Sequence, residues 1–585
     1  MSALRRLIPY YRPYRGKFAL GLGCVLISTS VFSLVPTLIR HAIDGLRAGR
    51  PQQDIVRLAL LVVATTLAMG VFRFVMRELL NGISRRIETD LRDDLFAHLT
   101  RLDAAWYGRY RTGELMARLT NDLSAVRMAV GPAVMYLTNT IVGGVVSLFF
   151  LLRIDPRLTV IALLPLVVLP VLMLRLGRAI HTRFDAVQEQ FGVLSTRVQE
   201  NASGARIVRA FRQEDAERAR FDRLSEEYLT RNLRLAWVNG LTNPAFALLA
   251  GLGAAAVIGV GGTEVIRGAM TVGALVAFGL YLVNLTWPLI AIGWVTNLFQ
   301  RGAASMARLV ELLDAPVAIA DPVTPAVLAP REGGRAIRFA GVSFAYPATE
   351  GHAPRTVLHE IDLEIAAGSV VAIVGATGSG KSTLLELIPR LHDPQQGTIT
   401  LDEHPLPSLA LRDLRAEIGF VPQDAMLFSE TIRENLRYSG ATDDAAQWGA
   451  RVAALDDAIA GFPAGYETLL GERGINLSGG QKQRATIARA LARRPNVVIL
   501  DDALSAVDTQ TEAAILSGLR GALAGRTAII ASHRVTAVRD ADLIIVLHEG
   551  RIVERGTHAP LLAARGHYWE LLRHQQLEDE VASVA

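Results

Sequence analysis

Cysteine is nearly absent: Cys24 is the one such residue in 585. That excludes an intramolecular disulfide and a cysteine-based metal set. Cys24 lies inside an apolar run, where a small buried hydrophobe is the plain reading. Charge is sparse too. Asp, Glu, Lys and Arg make up 20% of the chain, and the formal net charge is only +5. No compact Lys/Arg cluster with interleaved aromatics occurs, so no nucleic-acid partner is expected. A cleavable signal peptide is not expected either. Basic residues precede the first apolar run, but that run is too long for a signal h-region. What the chain has in quantity is apolar length. Hydrophobic residues reach 51%, and mean hydropathy is +0.29. The chain is also too long for one ordinary domain.

Apolar segments fall at about 18–39, 56–76, 129–152, 158–175, 243–263 and 271–299. Several approach the ~20 residues a helix needs to cross a bilayer. Arg57 and Arg73 soften the limits of the second. Gly and Ala in the fifth permit close helix packing. Pro36, Pro165, Pro170, Pro244 and Pro288 fall in or beside spans, where neighbouring helices can re-satisfy freed backbone groups. An even count of six puts both ends on one side. Residues 77–128 carry Arg77, Arg85, Arg86, Arg92, Arg101, Arg109, Arg111, Arg118 and Arg127, and 175–233 are similarly dense. The positive-inside rule places both connections, and hence both termini, in the cytoplasm. Arg40, Arg47 and Arg50 in the first external loop make this a bias. Both connections read as helical extensions of the spans, broken at Thr112-Gly113 and at Ser203-Gly204. Leu4, Leu7, Ile8 and Tyr11 share one face of a basic N-terminal helix suited to the inner membrane surface.

Past about Asp314 the pattern changes. Pro316, Pro322, Pro325 and Pro330 mark a linker, and short unbroken apolar runs then read as strands buried on both faces. The organisation expected is a helical membrane domain over 1–310, a linker over 311–334, a soluble α/β domain over 335–575 and a polar, loosely ordered tail over 576–585.

Two stretches of the α/β domain carry chemistry. The strand Val370–Val374 runs into Gly375-Ala376-Thr377-Gly378-Ser379-Gly380-Lys381-Ser382-Thr383 and then an apolar helix, the strand–loop–helix context a P-loop requires. Its glycines let backbone N–H groups face a phosphate. Lys381 adds charge at the β- and γ-phosphates, and Ser382 offers a hydroxyl to Mg²⁺. Later, Leu477-Ser478-Gly479-Gly480-Gln481 leads into a basic helix and an apolar strand, Val497–Leu500, tipped by Asp501-Asp502. Carboxylates at the carboxyl end of such a strand sit where α/β sheets bind ligands. A Ser-Gly-Gly turn opening a helix is an anion site.

The pentapeptide with its Asp-tipped strand resembles the signature and Walker B motifs of ABC transporters. The resemblance covers essentially the whole chain and is to bacterial multidrug or lipid exporter half-transporters. It implies a six-helix α-helical transmembrane domain plus an α/β P-loop nucleotide-binding domain, in the bacterial inner membrane, with ATP and Mg as ligands. It also implies a dimer in which LSGGQ, with Asp508 of Ser505-Ala506-Val507-Asp508, serves the ATP of the other subunit. By resemblance, Tyr346 stacks on adenine, Gln423 touches Mg²⁺ or the attacking water, and Asp501 holds Mg²⁺ through water. His533, after the strand Thr527–Ala531, contacts the γ-phosphate. Tyr110–Leu115 and Asn201–Arg206 resemble intracellular loops that press on ATP-binding domains, and Gly471-Glu472-Arg473-Gly474 resembles the loop they meet.

One departure stands out. Where the family has a catalytic Glu, this chain has Asp502, one methylene shorter. Phosphoryl transfer depends on positioning, and a misplacement of about 1 Å can cost on the order of 10²-fold. The favoured expectation is a slow site on this chain and a different partner subunit bearing Glu. A homodimer with Asp502 as a competent base is the alternative. An ATP-gated channel or regulatory membrane ATPase on the same scaffold is the alternative of another class. The transported substrate is expected to be small and hydrophobic or amphipathic.

Overall fold

A computed structural model describes residues 2–347, 355–471, 474, 476–533 and 539–584. They form two compact units: Met1–Leu99 with Gly113–Asp314, and Thr100–Thr112 with Ala315–Ala585.

The first unit is helical. Among the described residues, Ala3–Arg47, Gln52–Leu99, Thr112–Ile154 and Glu214–Ile266 are long and apolar enough to cross a bilayer. Two shorter apolar stretches, Pro156–Pro165 and Val272–Leu285, lie in the long helices Pro156–Ser203 and Val272–Leu313. At 1.5 Å per residue the 48-residue helix Gln52–Leu99 is about 72 Å long. That is far more than a bilayer core needs, so the charged connections are continuations of the spans.

The first membrane helix breaks between Phe32 and Val35. Pro36 there can donate no backbone N–H. The break is satisfied from the last membrane helix. The Tyr281 hydroxyl donates to the Ser33 carbonyl at 2.6 Å and lies 2.8 Å from Thr37 Oγ1, with its ring stacked on Phe150. Further out, Asp44 accepts from Thr271 Oγ1 at 2.8 Å and Gly273 N at 2.9 Å. At the other end of that helix, buried Asp122 accepts from Ser305 and Arg308, while Arg118 donates to Glu311 and Glu114.

Gly302 shows how close the helices come. A Cβ placed on it would collide with the Ala129 side chain, whereas one on Gly293 of the same helix would meet nothing within 4 Å. Gly302→Ala should therefore destabilise the membrane unit by about 1–3 kcal/mol and Gly293→Ala should not, as read by thermal unfolding in detergent.

Two expectations need correction. Thr112-Gly113 does not interrupt a helix; it opens one, Thr112–Ala117. The interruption falls earlier, after Leu99, and holds a short helix, Ala104–Tyr107, capped by Asp103, which accepts from Trp106 N. Residues 576–584, expected within a loosely ordered tail, belong to a helix, His567–Val584. That helix packs Tyr568 and Leu572 on the sheet. The second break stands where the sequence suggested, with Gly204 between the helices ending at Ser203 and starting at Ala205. The last membrane-unit helix continues to Leu313, into the stretch expected as linker.

The second unit is α/β. A four-stranded antiparallel sheet has the order β2-β1-β4-β5, with β1 Ile337–Tyr346, β2 Arg355–Ile365, β4 Gln396–Leu401 and β5 His404–Pro405. A six-stranded sheet has the order β10-β9-β3-β8-β7-β6. Its members are β3 Val370–Val374, β6 Ile418–Val421, β7 Val497–Asp501, β8 Thr527–Ala531, β9 Leu543–His548 and β10 Arg551–Gly556. Strands β9, β3, β8, β7 and β6 run parallel, and β10 closes the edge antiparallel. The central strands are apolar on both faces because both faces are covered, β7 being buried along its whole length. Their carboxyl ends therefore meet at one rim, and the sequence places its polar residues there.

Candidate nucleotide site

The rim holds a cavity of about 560 Å³. It is lined by Thr377, Gly378, Gly380, Lys381, Ser382 and Thr383 from the loop after β3, by Asp501 and Asp502 from β7, by Gln423 after β6, by His533 after β8, and by Tyr346 at the end of β1. These five separated stretches of sequence converge because their strands are neighbours in two sheets. Gly375, Ala376 and Ser379 complete the loop behind the lining.

The loop can curl because Gly378 and Gly380 have φ of +82° and +103°, where a side chain would be strained. Lys381 opens the following helix, Lys381–Leu387. It is buried and donates to the carbonyls of Gly375 at 2.8 Å and Ala376 at 3.0 Å. Burial pulls its pKa below the usual lysine value, while Asp502 and Asp501 pull it up. Asp501 is itself buried. Burial raises its pKa; the Ser382 hydrogen bond and Lys381 oppose the rise, and Glu386 and Asp502 add to it. His533 is shifted down by burial and by Lys381, and Asp502 pulls the other way. Its imidazole should titrate below the ordinary histidine value. Asp502→Asn should lower the midpoint further, measurable by NMR on histidine-labelled protein.

The residues fit a nucleotide phosphate and a hard cation. The Ser379 hydroxyl is buried with no hydrogen-bond partner, a donor waiting at the loop. Among the described residues no three His, Cys, Asp or Glu side chains gather to form a complete metal site. The oxygens of Ser382, Gln423 and Asp501 are the kind of partial set that Mg²⁺ shares with substrate phosphates.

The signature segment lies elsewhere. Ser478 caps the helix Gly479–Ala492 and exchanges hydrogen bonds with Gln481, Ser478 N to Gln481 Oε1 at 2.9 Å and Gln481 N to Ser478 Oγ at 3.2 Å. Gln483 ties this helix to Ser505 and Ala506 N at 2.9 Å each, and Asp508 caps the helix that follows. Leu477, Ser478, Gly479, Gly480, Gln481 and Asp508 are all absent from the cavity lining. Of the Gly471–Gly474 loop, Glu472 and Arg473 lie outside the described residues; Gly474 N donates to Gly471 O at 2.8 Å.

The remaining wall was not foreseen. It comes from Arg355, Thr356, Val357 and His359 on β2 and from Glu549 and Gly550 in the β9–β10 turn. Their one sequence signal is the Glu549-Gly550 turn, which says nothing of a ligand.

Acidic strand ends set against a phosphate loop make the second unit a P-loop ATPase domain. Its fusion to long apolar helices makes the chain a membrane ATPase. Comparison with known proteins carries this further. The family model for the ABC transporter transmembrane region matches residues 18–289, and the ABC transporter model matches 358–505. The chain is 38% identical over 98% of its length, and 98% of the relative's, to a probable multidrug resistance ABC transporter ATP-binding/permease protein, YheI, of Bacillus subtilis (strain 168). It is 35% identical to an ATP-dependent lipid A-core flippase of Syntrophus aciditrophicus (strain SB), covering 99% of this chain and 96% of that one. The solved structure of a bacterial Atm1-family ABC exporter with ATP bound superposes with a TM-score of 0.77 at 31% identity, over 96% of this chain and 98% of that one. The chain belongs to the ABC exporters that carry transmembrane and ATP-binding domains in one polypeptide, and it couples ATP hydrolysis to transport.

Proposed function

We propose that the chain is one half of a heterodimeric exporter, slow at its own ATP site and supplying LSGGQ to the site of a different subunit. The observation that supports shared sites is geometric, while the slow site and the unlike partner rest on Asp502 standing where a glutamate is expected. Lys381, Gln423, Asp501, Asp502, His533 and Tyr346 line one cavity, while Leu477–Gln481 and Asp508 of the same chain do not. An anion-binding helix start that no phosphate loop of its own chain faces is free to serve another chain's. The short helix Ala205–Ala210 supports pairing as well, because Ile207 on it and Phe211 at its C-cap are 65% and 71% exposed.

In this reading Tyr346 stacks on the base. The amides of Gly375 through Gly380 and the Lys381 ammonium hold the phosphates of ATP. Ser382, Gln423 and Asp501 would hold Mg²⁺, which neutralises phosphate charge when bound. Asp502 stands where a glutamate would orient the attacking water but falls one methylene short of it, and neutral His533 offers a hydrogen bond to the γ-phosphate. ATP held by both chains favours the closed pair over the open one through contacts that only the closed pair makes. The cargo is a hydrophobic or amphipathic compound, drug- or lipid-like, in keeping with the relatives named for multidrug resistance and lipid A-core flipping. The membrane is the bacterial inner membrane, with both termini cytoplasmic as the arginine distribution favours.

The test is Mg-ATP hydrolysis by this chain purified alone in lipid. Negligible turnover from folded, ATP-binding protein, restored by a co-purifying subunit with Glu at the position of Asp502, is expected. Robust turnover by the chain alone would mean a homodimer with a competent Asp502.

A further inference from the structure

Tyr346 is held from three sides. Its ring meets Phe344 at 5.0 Å and His392 at 5.6 Å between centroids, both nearly perpendicular, and Phe344 and His392 meet at 5.4 Å. Its hydroxyl lies 3.1 Å from Thr383 Oγ1 and 3.4 Å from Glu386 Oε2. Glu386 Oε2 is in turn 3.6 Å from His392 Nε2. Phe344, Thr383 and His392 are buried, while Tyr346 keeps 36% of its surface, open to the cavity. Three of these groups come from the phosphate-loop helix and the turn just after it, so the ring is referred to the same element that holds the phosphates.

A stacking platform gains from being fixed beforehand. A side chain that must be immobilised on binding costs about 0.5–1.5 kcal/mol of affinity, and one already immobilised does not. We propose that Thr383, Glu386 and His392 are positioning residues that lock the Tyr346 ring as a preset platform for the purine base. This rests on the reading of Tyr346 as the base-stacking residue. Glu386 also faces Asp501 electrostatically, so the test is made on His392.

The experiment compares equilibrium binding of ATP and of inorganic tripolyphosphate, which has no base, to the full chain in lipid. His392→Ala should weaken ATP about fivefold, the size of one aromatic edge contact, and leave tripolyphosphate unchanged. His392→Phe should restore ATP binding, because a ring again fills the site. Should His392→Ala fail to fold, His392→Leu carries the same expectation, volume without a ring. Tyr346→Ala should also lose ATP selectively, by roughly 5- to 150-fold. If Tyr346→Ala weakens ATP but His392→Ala does not, the positioning role falls and the base platform stands. If Tyr346→Ala has no effect, both fall. Equal loss of ATP and tripolyphosphate in His392→Ala, or no rescue by phenylalanine, would also overturn the proposal.

Discussion

Lys381→Ala is expected to weaken ATP binding at this chain's own site by at least about 30-fold and to remove the turnover that site supports. The ammonium is buried and points into the loop, bonded to the carbonyls of Gly375 and Ala376. Those partners are neutral dipoles. A phosphate offers a full charge in the same place, and a charge-assisted bond is about twice as strong as a neutral one. Removing the lysine does more than delete an attraction. Asp501 and Asp502 both act on Lys381 across the cavity. Without it they would face the triphosphate uncompensated, and the sign of the local field would favour expulsion. Asp501, already shifted toward protonation by burial, would shift further, because Lys381 is one of the groups holding it down. Lys381→Met, which keeps the apolar stem, should lose as much as Lys381→Ala, since charge rather than packing is removed. Binding titrations with unfolding temperatures alongside check this. Retained affinity in Lys381→Met would show that the loop amides alone hold the phosphates.

The phosphate loop was legible because its chemistry dictates local sequence. Backbone amides can turn toward an anion only if glycine supplies the positive φ found at Gly378 and Gly380, so the requirement is written at fixed spacing. Asp501, Asp502 and His533 were legible because each follows an apolar run, and parallel strands deliver their ends to one rim. The membrane helices were legible from length and hydropathy. The back wall of the cavity was not. Thr356, Val357 and His359 reach it because β1 and β2 pair antiparallel, which brings Arg355 opposite Tyr346. Glu549 and Gly550 reach it because β9 lies beside β3 although far from it in sequence. Non-local pairing of that kind leaves no mark in a local window. The misplaced break at Thr112-Gly113 has a different cause. Glycine drew attention, but the helix before it ends because Asp103 caps a new one. A cap is a side-chain event that needs no glycine. The C-terminal helix was missed because its exterior is polar, and the inward Tyr568 and Leu572 are too few to make a visible stripe.

Asp502→Glu should raise turnover at this chain's own site by on the order of 10²-fold. Asp502 is fixed at its root. Its N–H donates to the Ala531 carbonyl at 3.0 Å, and its own carbonyl accepts from the Ser505 hydroxyl at 3.0 Å. Its backbone is left-handed, with φ of +46°. The main chain therefore cannot move forward to make up for a short side chain, and the carboxylate stops about one methylene short of where a glutamate would place it. Adding that methylene moves the charge without altering it, so the variant isolates distance from electrostatics. Asp tolerates a left-handed backbone better than Glu, and the exchange should cost at most about 1 kcal/mol of stability. A small loss of stability with a large gain of rate is the expected signature. Asp502→Asn separates the two readings from the other side. If Asp502 is too short to act, Asn changes turnover at this site little, because nothing there was being used. If Asp502 is a competent base, Asn abolishes turnover and Glu changes it less than about threefold, a difference worth under 1 kcal/mol in the barrier. ATP affinity should be nearly the same in wild type and Asp502→Glu, which keeps the charge, and somewhat higher in Asp502→Asn, which neutralises one of the two carboxylates acting across the cavity on Lys381. Single-turnover hydrolysis of bound ATP by wild type, Asp502→Glu and Asp502→Asn, each in the assembled dimer, therefore decides whether one methylene divides the labour between the two halves of the exporter.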